Sequence, residues 1–156
     1  MKKIGAFTID YPHKTNRLES DVVIFDGDQK ASSLSPERKM RALWDTGATL
    51  SCISQRIADE LQLKPLQVIK VYTATGAVQA NTYFVGLVLP NHFMTSVVAA
   101  GVPDMSDDVD IVMGMDVISK GDFSVTNVNK RTTFSFRIPS VKRIDYMQEP
   151  LTAEAL

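Results

Sequence analysis

The chain has 156 residues, 44% of them hydrophobic, with seventeen basic residues against eighteen acidic ones and a net charge of −1. That is enough apolar material for one domain with its own core, and no apolar run reaches the ~18 residues of a membrane span. The balanced charge offers no face for nucleic acid or an anionic membrane surface. Met1 to Asp10 opens with Lys2 and Lys3, but its apolar part stops at Asp10, too short for a signal peptide. Cys52 is the only cysteine, so no internal disulfide forms, which fits a reducing, cytoplasmic setting. His13 and His92 stand far apart without ligand spacing, so neither a metal nor another cofactor is expected.

In chain order, residues 4–9 read as a short strand and residues 10–16 as a loop. Val22 to Phe25 is a β-branched and aromatic run, hence a strand, closed by the turn residues Asp26-Gly27-Asp28. The serine-rich stretch from Gln29 to Lys39 reads as a surface connection, and Met40 to Trp44 as a strand returning from it. That strand delivers Asp45 into a turn made of Thr46, Gly47 and Ala48, where Gly47 gives the backbone freedom for a tight loop and for close approach of a ligand. Asp-Thr-Gly also occurs as an ordinary turn or helix cap. Beyond it Ile53, Ile57 and Leu61 recur every four residues, the apolar face of a short helix, with Ser51 or Ser54 as its cap and Pro65 beyond its end.

Val68 to Thr73 and Ala77 to Val85 flank Ala74-Thr75-Gly76 and read as a hairpin with a glycine at its tip. Leu87 to Leu89 continues as strand to Pro90, Phe93 to Ala100 follows as another, and residues 101–108 read as an acidic loop. Asp110 to Ile118 runs through apolar residues into Gly114, then Asp116, with a second short helix near Val117. Ser124 to Thr126 and Thr132 to Ile138 are the last strands, and residues from Pro139 onward read as a tail, whose Glu149 to Leu156 stretch is too short to hold a helix unaided. The sum is an all-β chain with one or two short helices. It forms one domain over 1–156, with an arm and strand over 1–20, a core over 22–138 and a tail over 139–156.

Asp45-Thr46-Gly47-Ala48 resembles the active-site signature of aspartic proteases, in the single-lobed form of the retroviral enzymes. Val112-Met113-Gly114 resembles that family's second signature, apolar residues then glycine, and the features between fall in family order from Val22 to Phe136. The resemblance implies a retropepsin-like fold, a closed or partly closed β-barrel, in which the Gly114 strand packs beside the active-site loop and the glycine lets two backbones meet. It implies that Asp45 is catalytic, that Thr46 bonds across a two-fold axis and that Gly47 meets substrate backbone. The tip Ala74-Thr75-Gly76-Ala77 would be a flap over the substrate. Retroviral enzymes often carry acidic residues after the alanine and an arginine after the second glycine; here those places hold Thr49 and Met115, so a viral-type ion pair is absent as a whole.

Peptide hydrolysis in that family needs two carboxyl groups sharing one proton, because adjacent like charges resist double ionisation. One carboxylate activates a water as base while its protonated neighbour polarises the carbonyl. This chain has one Asp-Thr-Gly and no Asp-Ser-Gly, and Asp110, Asp116 and Asp122 lack the loop chemistry. A second copy would therefore supply the mate of Asp45 in a homodimer acting on a peptide or protein substrate, with the strand around Phe134 and Phe136 in the interface. Two other classes remain open. One is a binding or assembly module that keeps the fold without proteolysis. The other is phosphoryl transfer through an aspartyl phosphate, which the β-rich flanks of Asp45 disfavour. The ends, residues 1–20 and 140–156, are expected to be accessible cleavage sites.

Overall fold

A computed structural model describes residues 5–29, 39–73, 76–103, 105–106 and 108–148. The strands are β1 (Gly5–Asp10), β2 (Glu19–Asp26), β3 (Met40–Trp44), β4 (Cys52–Ser54), β5 (Pro65–Thr73), β6 (Gly76–Leu89), β7 (Phe93–Val102), β8 (Ile111–Met113), β9 (Asp122–Thr126) and β10 (Thr133–Ile138). Two short helices, α1 (Gln55–Glu60) and α2 (Met115–Ile118), follow β4 and β8. The mostly-β expectation with one or two short helices therefore holds. No helix among the described residues is long and apolar enough to cross a membrane.

Seven strands form one sheet in the order β2-β3-β8-β4-β7-β6-β5, and β2 also pairs with β6. Its first half, Glu19 to Val22, lies antiparallel to β3, and its second half, Val23 to Asp26, lies antiparallel to β6. The sheet therefore curls back on itself. Such curling suits alternating strands: Val22 and Ile24 on β2 and Val85, Leu87 and Leu89 on β6 are buried, because successive side chains leave opposite faces of a strand. In the middle of the sheet β8 runs parallel to β3 and antiparallel to β4.

A second sheet, β1-β10-β9, packs against the first. On β10 the residues Phe134, Phe136 and Ile138 are buried while those between are partly exposed. Phe134 meets Phe7 edge-on at 5.5 Å and Trp44 at 5.3 Å, and Phe136 lies 4.8 Å from Trp44. Edge-to-face pairs of this kind add to the burial of the rings themselves. The indole N–H of Trp44 donates to Ser20 Oγ at 2.9 Å in the interior, so the last residue of β3 is held on both its apolar and its polar side.

Several expectations change. Phe134 and Phe136 are core side chains on the central strand of their sheet, so they do not face outward to a partner. Residues 5–20 are not a loose end: β1 pairs with β10 from Gly5↔Ile138 to Asp10↔Thr133, and the Tyr11 hydroxyl exchanges hydrogen bonds with the backbone of Glu19. Ile53 belongs to β4 rather than to the helix, because pairing with β7 and β8 engages residues 52–54. α1 starts at Gln55, and its N-cap Ser54 makes no side-chain cap bond. Gly101 and Val102 extend β7 rather than opening the acidic loop. The segment after Pro139 is anchored at its start, since Ser140 Oγ and the Val141 N–H both donate to Asp122. Those bonds, with Arg137, hold the Asp122 carboxyl well below the usual carboxylate range. Residues 30–38, 74–75 and 149–156 lie outside the described residues.

Phe134 joins both sheets, and its side chain is fully buried. Phe134→Ala should destabilise the fold by about 3–5 kcal/mol, the usual cost of removing a buried aromatic ring. Urea unfolding followed by circular dichroism measures it.

Candidate active site

Asp45 follows Trp44 at the end of β3, where the strand leaves the sheet and becomes exposed. Three backbone bonds fix the loop. The Asp45 N–H donates to Met113 O at 3.0 Å, continuing the β3–β8 pairing by one residue. The Ala48 N–H closes the turn on Asp45 O at 3.2 Å, and Met115 N–H donates to Ala48 O at 2.8 Å. Inside the turn the Gly47 N–H donates to Asp45 Oδ1 at 2.8 Å. The carboxylate is thus aimed by its own loop while its other oxygen stays available. The Thr46 hydroxyl, also exposed, has no hydrogen-bond partner among the described residues.

Gly114 lies against this loop from the other side. A Cβ there would sit 2.7 Å from the Leu50 carbonyl carbon and 2.9 Å from Ala48 O. Both are backbone atoms, which cannot swing aside as a side chain would. The expected close approach of two backbones at the second signature is therefore present. Gly47 differs from expectation: its backbone is outside the left-handed region, and what its missing side chain provides is room, since a Cβ would come within 3.1 Å of Asp45 Oδ1.

Asp45 and Thr46 line a cleft of about 410 Å³ with Arg17, Leu18, Trp44, Phe123 and Val125. A larger cleft of about 650 Å³ lies between β1, β2 and the Pro90–His92 turn, and Asp45 is not among its walls. The smaller cleft contains the exposed carboxylate of the Asp-Thr-Gly loop, whereas the larger is walled by Asp21, which lies on β2 and pairs with Lys39. At the far end of the seven-stranded sheet, β5 and β6 pair as the expected hairpin through Thr73↔Gly76. Gly76 has φ +138°, open to glycine but strained for other residues. Gly76 and Ala77 are exposed and are not walls of the Asp45 cleft; Ala74 and Thr75 lie outside the described residues. Val112 pairs with Leu43 on β3 and with Cys52 on β4, and Met113 is fully buried.

The three aspartates around the second signature, Asp110, Asp116 and Asp122, are each engaged. Asp110 accepts from the Arg41 N–H at 2.8 Å and from Arg56 at 2.7 Å, fixing the start of β8 between its neighbours. Asp122 is bound by Arg137 and residues 140–141. Asp116 accepts from the Ser51 hydroxyl at 2.7 Å and from the Ser51 N–H at 3.0 Å. Ser51 is thus not a helix cap. The sequence signal for that contact was a lone carboxylate inside the apolar run 111–118, which needs a partner if it packs inward.

The family model described as gag-polyprotein putative aspartyl protease matches residues 36–120, more than half of the chain. The chain belongs to that family. A retropepsin-like aspartic protease from Rickettsia conorii shares the fold, with 14% identity, 87% of this chain and 96% of that chain covered, and a TM-score of 0.56. The EIAV protease complexed with the inhibitor HBY-793 aligns at 20% identity over 67% of this chain and 86% of its own, TM-score 0.46. The retroviral protease-like domain of Ddi1 from Leishmania major aligns at 14% identity over 78% and 95%, TM-score 0.48. Comparison with curated protein sequences gives no match. The fold is retropepsin-like, as expected, with a barrel that is partly closed.

Two outcomes follow from the site geometry. Gly114→Ala should lower stability and displace the Ala48–Leu50 backbone, seen as changed amide shifts for residues 47–50 against an unchanged β10. The Cys52 thiol is pushed up from its ordinary range, first by burial and then by the charge of Asp116. Its thiolate therefore forms only at higher pH, and iodoacetamide alkylation near pH 8 should be slower than for a free cysteine.

Proposed function

We propose that this chain is an aspartic endopeptidase that cuts peptide bonds with Asp45 from two copies across a two-fold axis. The observation that carries the reading is the Asp45 loop itself: an exposed carboxylate, held by Met113, Gly47 and Ala48, on a retropepsin-like fold. One carboxylate is half of the chemistry, and the sequence holds a single Asp-Thr-Gly. A second copy supplies the other half most simply, as closed two-fold assemblies are the commonest solution for soluble chains. In the pair, one Asp45 stays ionised and draws a proton from water while the other, protonated, polarises the substrate carbonyl. Thr46 would bond across the axis, Gly47 would face substrate backbone, and the β5–β6 tip at residues 74–77 would close over the peptide.

The dimer contact expected at Phe134 and Phe136 moves to β9. That strand is the edge of its sheet, Phe123 and Val125 line the Asp45 cleft, and Val125 is 38% exposed. An open edge beside the half-site supports docking of a second β9 there.

Asp45→Asn keeps the size of the side chain and removes the base, so it should abolish cleavage of a peptide library while circular dichroism stays unchanged. Wild-type turnover in the folded variant would overturn the catalytic role and leave a non-proteolytic binding module on the same fold. The rate should show a bell-shaped pH profile, because activity needs one proton on the pair. Specific activity should fall on dilution in step with the dimer mass measured by light scattering. Excess Asp45→Asn chain should poison the wild type through mixed dimers. An active monomer at every concentration contradicts the shared site.

A further inference from the structure

Ser51 and Asp116 are separated by 65 residues, and neither touches the Asp45 cleft. Ser51 is fully buried. Its hydroxyl proton goes to Asp116 Oδ1 at 2.7 Å and its N–H to Oδ2 at 3.0 Å. A serine hydroxyl has one proton and two lone pairs. With the proton committed to Asp116, the oxygen faces the Gly114 N–H and accepts from it at 3.0 Å. Gly114 is the centre of the segment from which the catalytic loop hangs: Met113 O takes the Asp45 N–H, and the Met115 N–H holds Ala48 O. Asp116 in turn is fixed by α2, whose Val117 and Ile118 are buried in the core. A carboxylate accepting from both donors makes stronger bonds than a neutral acceptor would.

We propose that Ser51 and Asp116 are a positioning pair for the Asp45 loop, locking Met113-Gly114-Met115 so that both ends of the loop are held at one spacing. The proposal rests on Asp45 being the reacting carboxylate and extends it to residues that never contact substrate. Displacing a reacting group by about 1 Å costs roughly a hundredfold in rate, so a loop that hangs on three residues makes their anchor a determinant of turnover. The raised thiol of Cys52, next to Ser51 and acted on by the Asp116 charge, provides a built-in reporter of that carboxylate.

The test compares Ser51→Ala, Asp116→Ala and the milder Asp116→Asn with Thr132→Val, all in the full chain. Thr132 is a buried hydroxyl bound to Asn127 and Thr15, so its loss reports general destabilisation. Turnover is expressed per active site, titrated with a statin-type peptide mimic, below the melting point of every variant. Ser51→Ala and Asp116→Ala should lower kcat by about tenfold to a hundredfold, with KM changed by less than about threefold. Asp116→Asn should recover part of the loss, because its amide oxygen still accepts from Ser51, and Thr132→Val should keep wild-type kcat. Amide exchange at Gly47 and Ala48 should accelerate in the two alanine variants alone. Cys52 alkylation should shift to lower pH in both Asp116 variants, showing that the charge was there to be removed. Wild-type kcat per titrated site and unchanged exchange in folded Ser51→Ala and Asp116→Ala overturn the proposal. If the wild type cleaves no peptide, the catalytic reading fails and loop exchange alone decides the positioning pair. If an alanine variant does not fold, Asp116→Asn carries the same comparison: exchange equal to wild type with the alkylation shift present also overturns it.

Discussion

The structure around the site depends on two backbones meeting where no side chain fits between them. Residues 48–50 and Gly114 are so close that a single Cβ would overlap main-chain atoms. That contact lets the Met115 N–H reach Ala48 O and the Asp45 N–H reach Met113 O. Without it β3 and β8 would still pair through Trp44↔Met113, but the loop after β3 would have nothing to close on. The geometry of a carboxylate at a strand end is therefore set by a glycine 69 positions away, counted from Asp45 to Gly114.

Apolar packing supplies the rigidity that this hydrogen-bonded loop needs. Trp44 stands directly before Asp45 and is packed by Phe7, Phe123, Phe134 and Phe136. Those rings come from all three strands of the second sheet, so that sheet acts as a backing plate for the end of β3. Interiors packed at this density transmit displacement instead of absorbing it. A change in β10 is felt at Trp44, the residue before Asp45. Polar anchors add to this packing: Asp110 ties the starts of β8 and β3, and the Ser51–Asp116 contact ties the residue before β4 to α2, just after β8.

The site lies at an exposed strand end, beside β9, an edge strand of its sheet. Buried polar side chains among the described residues all have partners. The exposed Asp45 and Thr46 use few of theirs within the chain.

Local features of the sequence determined what local physics can determine. Asp45-Thr46-Gly47-Ala48, the strand before it, the β5–β6 hairpin and Gly114 were all legible, because turn residues, alternation and glycine act within a few positions. The all-β class followed from their sum. What the sequence could not settle was long-range pairing. Ile53 kept the four-residue spacing of a helix face, yet its backbone joined β4 because β7 and β8 offered partners that spacing does not reveal. The chain start looked free until β10, more than 120 residues later, paired with it. Phe134 and Phe136 read as candidates for a dimer interface until the fold placed Phe7 and Trp44 against them. Ser51 and Asp116 looked like a cap and a spare carboxylate, and only the tertiary structure brought them together, since the contact depends on how β8 is laid between β3 and β4 and not on any neighbour in the chain.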